Sequence, residues 1–128
     1  MSEAAVNVRY MVEDVETAIE WYTRYLGFSL LSNRAPAFAD VKLGSLRLLL
    51  SGPTSSAGRA MPDGEQPRPG GWNRIHIVVD DLPAEVARLR GAGATFRNEI
   101  VTGPGGSQIL LQDPSGNLVE LFQPDVRR

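Results

Sequence analysis

Two short stretches, Val12-Glu13-Asp14-Val15 and Val79-Asp80-Asp81-Leu82, repeat one motif 67 residues apart (79 − 12). Each joins the apolar end of a strand to an acidic pair and then to the apolar start of a helix. An aspartate before an apolar-periodic run reads as a helix N-cap, because its carboxylate accepts from backbone N–H groups that have no partner in the helix. A stop glycine follows Asp14 after 13 residues (27 − 14) and Asp81 after 12 (93 − 81). A chain built this way is constrained to two copies of one supersecondary unit.

The rest of each copy follows from periodicity. Val6–Val12 alternates as a strand, with Val8, Tyr10 and Val12 on one side and Asn7, Arg9 and Met11 on the other. Val15, Ile19, Tyr22 and Leu26 recur at helical spacing up to Gly27. Phe28–Leu31, Ala37–Leu43 and Leu46–Leu50 read as strands, with Gly44-Ser45 as a turn. In the second copy Ile75–Val79 is a strand. Leu82, Val86 and Leu89 stripe a helix capped by Asp81 or Leu82, with Pro83 in its first turn and Gly91 and Gly93 at its end. Strands over Ala94–Val101, Gln108–Gln112 and Asn117–Phe122 complete it. Each copy is a βαβββ unit, so the expected fold class is α+β. The halves span residues 5–51 and 74–124 of a single domain over 1–128, and 52–73, rich in Gly, Pro and Ser, is expected to be a mobile linker.

Composition removes several functions. There is no cysteine, so disulfides, thiolate nucleophiles and cysteine metal sites are excluded. A net charge of −2 offers nothing to nucleic acid or an acidic membrane surface. No apolar run reaches the roughly 20 residues of a membrane span, and MSEAAVNVRY has no signal-peptide core, so a cytoplasmic location is expected. The glycines of TGPGGSQ (102–108) do not stand between a strand and a helix, and read as a hairpin turn, not a phosphate cradle.

One carboxylate stands out. In DPSGNLVELF (113–122) Glu120 lies among Leu118, Val119, Leu121 and Phe122, where burial is costly unless a positive group faces it. It either points to solvent from a sheet edge or has a cationic partner.

Three stretches, VEDVETAIEWYTRYLGF (12–28), VDDLPAEVARLRGAGA (79–94) and DPSGNLVELFQP (113–124), together resemble the vicinal oxygen chelate superfamily. That group includes glyoxalase I, extradiol dioxygenases and bleomycin-resistance proteins. The resemblance covers roughly residues 5–124. It implies a glyoxalase-like fold, an incomplete barrel around a cleft, and a homodimer. Metal-dependent members place four ligands on inner strands, and the matching positions here are Asn7, Leu48 or Leu49, Arg74 and Glu120. Three of the four have lost a good ligand, since arginine stays protonated, leucine has no donor and an amide oxygen is weak.

The resemblance therefore implies a protein that holds a small organic molecule in its cleft without metal, with Arg74 replacing the ion opposite Glu120. Asn7, Arg9, Met11, Trp72, Arg74, His76 and Glu120 are the expected cleft residues, with no catalytic residue assigned. The alternative is a lyase, isomerase or dioxygenase using a divalent metal on His76, Glu120 and Asn7. That requires a two-residue strand slip, which preserves the inward face. A cleft that has lost its chemistry and serves only as a dimer scaffold is a third reading. His76 is then a ligand, a general base, or a cleft-wall histidine bonded to a neighbour. Trp72 either stacks on a planar ligand or covers a core edge.

Overall fold

The computed structural model describes residues 4–125. The chain divides between Gly70 and Gly71 into two compact units, each carrying one helix and one mixed sheet.

In the first unit β1 (Val8–Met11) leads into α1 (Val15–Leu26), followed by β2 (Ser29–Arg34), β3 (Phe38–Leu43) and β4 (Leu46–Ser51). The sheet order is β1-β4-β3-β2. β1 runs parallel to β4 and the other pairs are antiparallel. Asp14 caps α1 by accepting from Thr17 N, and Gly27 closes it in the left-handed region at φ 74°. The helix buries Val15, Ala18, Ile19, Trp21 and Tyr22, while Leu26, the last residue of the expected stripe, is half-buried. Tyr22 stacks edge-on against Trp21 and Phe28. The sheet contributes Tyr10, Ala39, Val41, Leu48 and Leu50 to the same core. By strand alternation, Arg9, Phe38, Asp40, Arg47, Leu49 and Ser51 occupy the opposite face.

A bulge in β2 changes that face. Leu30 pairs with Val41 but Ser32 pairs with Asp40, so Leu31 is the extra residue. An unbroken register would set Leu31 opposite Asp40; the bulge sets a hydroxyl there instead.

The stretch after β4, expected as a mobile linker, is built into the first unit as far as Gly70. It contains one 3-10 turn, Ser56–Gly58. The Ser55 hydroxyl donates to Gly52 O at 2.7 Å and accepts from Gly58 N at 3.0 Å. Gln66 Nε2 donates to Gly58 O at 2.6 Å. A Cβ at Gly58 would lie 2.3 Å from Gly52 O, so only glycine fits this turn. Local side-chain bonds thus order a stretch whose composition suggested flexibility.

The second unit runs β5 (Arg74–Val78), α2 (Leu82–Ala92), β6 (Thr95–Phe96), β7 (Val101–Gly103), β8 (Gly106–Gln112) and β9 (Leu118–Pro124). The order is β5-β9-β8-β6, with β7 also on β8. Asp81 is the N-cap of α2 and Gly93 its left-handed terminator, while Gly91 remains inside the helix. Leu82, Val86 and Leu89 are its buried stripe.

The single strand expected over Ala94–Val101 is two. From Phe96 to Val101 the chain advances five residues (101 − 96) while β8 advances three, from Gln108 to Leu111 (111 − 108). The Asn98 side chain accepts from Leu110 N in that gap and takes the place of a ladder bond. β7 and β8 form a hairpin at Gly103 and Gly106, in agreement with the hairpin reading of TGPGGSQ.

Candidate functional site

The position of Glu120 is set by the turn before it. Asp113 Oδ1 accepts from Ser115 N and Asn117 N, both at 2.9 Å, and Asn117 Nδ2 donates to Asp113 Oδ2 at 3.0 Å. This side-chain-closed turn fixes where β9 begins and hence which of its residues face which way. β9 lies between β5 and β8, so Glu120 is not at an edge and does not point to solvent. It is buried, at 6% exposure.

Its partners come from β5, which runs parallel to β9 with His76 opposite Glu120 and Arg74 opposite Leu118. Arg74, His76, Leu118 and Glu120 therefore share one face of the sheet. Arg74 Nε donates to Glu120 Oε1 at 3.0 Å, and its Nη1 donates to Trp72 O at 3.2 Å. The other carboxylate oxygen faces His76 Nε2 at 3.6 Å. The imidazole also lies 4.9 Å from the Phe122 ring, centroid to centroid. A guanidinium on one oxygen and an imidazole beside the other answer the question raised by the sequence. The carboxylate is buried because its charge is matched.

This geometry fits a divalent ion poorly. Arg74 holds a fixed positive charge on the Glu120 oxygen, and no three His, Asp or Glu side chains gather at one point among the described residues. Arg74 cannot be a ligand.

The other expected residues divide as follows. Trp72 is exposed, at 62%, and its ring carries the Arg97 guanidinium 4.5 Å from the centroid, so one of its faces is already occupied. Asn7, Arg9 and Met11 belong to the first unit, where Arg9 and Met11 lie on the face of β1 turned away from α1.

A second ionic cluster escaped the sequence reading. Asp40, 2% exposed, pairs with Arg47 through Nε at 2.6 Å and Nη2 at 2.5 Å and accepts from the Ser32 hydroxyl. Burial alone raises the Asp40 carboxyl, but the Ser32 bond and the bond and charge of Arg47 outweigh it and hold the group below its ordinary range. The one available signal was the alternation FADVKL, which puts a carboxylate on the face away from the helix. Arg47 comes within reach only because β3 and β4 form a hairpin that sets Lys42 opposite Arg47 and Asp40 diagonal to it.

Arg9, Phe38, Arg47, Leu49 and Ser51 also line a cavity of about 440 Å³ that is walled by Thr54–Ala57. That volume lies in the range of small-molecule sites.

Two helices, two mixed sheets and a duplicated capped-helix motif define a glyoxalase-like α+β protein. The chain belongs to the Glyoxalase/Bleomycin resistance protein/Dioxygenase superfamily, whose family model matches residues 5–121. A lactoylglutathione lyase of Pseudomonas putida is 25% identical over 142 aligned positions, spanning 88% of this chain and 80% of that protein. Among solved structures, lactoylglutathione lyase from Agrobacterium tumefaciens superposes with a TM-score of 0.72 at 22% identity, covering 95% of this chain and 94% of its own. TnmS3, an antibiotic binding protein from Streptomyces sp. CB03234, superposes at 0.69 with 25% identity, covering 98% of this chain and all (100%) of its own. No helix among the described residues is long and apolar enough to cross a membrane.

Proposed function

We propose that this protein binds a small organic molecule without a metal ion, against the helix-free faces of its sheets. The observation that carries the reading is the 3.0 Å pair between Arg74 and Glu120. The family's fourth ligand position is neutralised by an internal cation, which leaves a polar, charge-balanced surface suited to holding a ligand. The likeness to an antibiotic-binding protein supports binding as the role. On this reading Asn7, Arg9 and Met11 are the binding residues of the first unit, and Trp72, Arg74, His76 and Glu120 those of the second.

The competing reading is a metal-dependent lyase, isomerase or dioxygenase. The approach of His76 Nε2 to Glu120 Oε2 at 3.6 Å is the feature that favours it. Elemental analysis of protein purified without chelator or added ions separates the two. Nickel, zinc, iron and manganese are expected well below stoichiometric amounts, and a full equivalent lost on replacing His76 or Glu120 would overturn the metal-free reading in favour of the metal-dependent one.

The protein is further proposed to act as a homodimer. The apolar side chains of Val78 and Val101 are substantially exposed, at 60% and 54%, which is surface that association would cover. Light scattering at micromolar concentration is expected to give twice the chain mass of 13.9 kDa; a monomer at that concentration rejects the assembly.

A further inference from the structure

We infer that the cavity on the first sheet is a site for a small organic anion with an aromatic or alkyl body, anchored by Arg9. This rests on the small-molecule reading above and specifies the ligand's charge and the residues that select it.

The floor of the cavity is a patch on the helix-free face of the first sheet. Arg9 on β1 is registered with Leu49 on β4, Arg47 and Ser51 lie two residues to either side, and Phe38 on β3 is registered with Ser51. The turn at Thr54–Ala57 stands over this patch and supplies hydroxyl groups. Two guanidinium groups line the space and no carboxylate does. Of the two, Arg47 is committed through Nε and Nη2 to Asp40. The Arg9 side chain has no hydrogen bond, ion pair or ring contact with any described residue. The lining therefore carries one uncompensated positive charge beside exposed Phe38 and half-buried Leu49.

A planar carboxylate matches this combination. The Arg9 fork can donate two parallel hydrogen bonds to it, while Phe38 and Leu49 cover the apolar body. A cation of the same shape meets only repulsion from Arg9. The adjoining hollow, which shares Thr54, is lined by Glu13, Asp14 and Glu16, and disfavours an anion displaced in that direction. The two hollows together set the ligand's orientation as well as its sign.

The test is a titration of the full-length, ¹⁵N-labelled protein with benzoate, benzyl alcohol and benzamidine, followed by amide and arginine Nε shifts. Benzoate is expected to perturb Arg9, Phe38, Leu49 and residues 54–57 and to bind at least tenfold more tightly than the alcohol, about the worth of one charge-assisted hydrogen bond. Benzamidine is expected to cause no saturable shift there. Arg9→Met removes a side chain with no described partner, so the fold is expected to persist; it abolishes the preference for benzoate and leaves the alcohol unchanged. Arg9→Lys restores part of the preference, since it returns the charge without the fork. Equal binding of all three probes, or benzoate binding that survives Arg9→Met, overturns the anion site while leaving a small-molecule binder. Shifts confined to Arg74, His76 and Glu120 overturn the location alone. Silence from all three probes overturns the site, whereas a stoichiometric metal would strike only the reading on which it rests.

Discussion

Arg74→Ala is expected to lower stability by about 2–3 kcal/mol, slightly less than the ~3–5 kcal/mol typical of stranding one partner of a fully buried pair. The reduction has two causes. The Arg74 side chain keeps 28% exposure, so part of its interaction with Glu120 is screened, and His76 remains beside the second oxygen. The loss is still large because Glu120, at 8% side-chain exposure, cannot regain water by a simple rotamer change. The double variant Arg74→Leu with Glu120→Gln leaves no stranded charge, and is expected to lose about 1 kcal/mol or less, since replacing a buried pair by uncharged groups is often neutral. Urea denaturation of both variants checks this ordering. If the double variant is the less stable of the two, the pair is not what holds the carboxylate in place.

Arg47→Leu is the second large effect, about 2 kcal/mol destabilising, by the same stranding of a buried carboxylate, here Asp40. The Ser32 hydroxyl persists in this variant and keeps the loss below that of a wholly unpartnered charge. Asp40→Asn is expected to be milder, because the Arg47 side chain is 50% exposed and can return to water. The pair also has a pH signature. The folded Asp40 carboxyl is held below its ordinary value of 3.8, so its contribution is present above that pH and is lost as pH falls toward the folded value. The wild-type protein should therefore lose stability below about pH 4 more steeply than Asp40→Asn does. Equal slopes in acid titrations followed by circular dichroism would show that Asp40 is not linked to folding.

The two clusters differ in how visible they are before folding. The Glu120 pair is legible through the family resemblance, whose ligand positions stand at fixed distances from strong local markers and fall here on Arg74 before the Asp81 cap and Glu120 after the Asp113 turn. Those markers are closed by short-range hydrogen bonds, Asp81 to Ala84 N and Asp113 to Asn117 N, and do not depend on distant packing. The Asp40 cluster is not legible. Ser32 reaches Asp40 only through the bulge at Leu31, and no local propensity in SLLSNR announces one. Arg9, an expected cleft residue, is set beside Leu49 only when β1 is laid parallel to β4, 40 residues further on (49 − 9).

Capped helices, stop glycines, the strand alternation and the duplicated plan were determined by the sequence alone, because each rests on residues within a turn or two of one another. Tertiary structure decided three things: that 52–70 is folded against the first unit, that Ala94–Val101 breaks into β6 and β7, and which cations meet which carboxylates. Each depends on register between strands far apart in the chain. A shift of one residue there reverses every side chain, and short sequence patterns carry no term that fixes it.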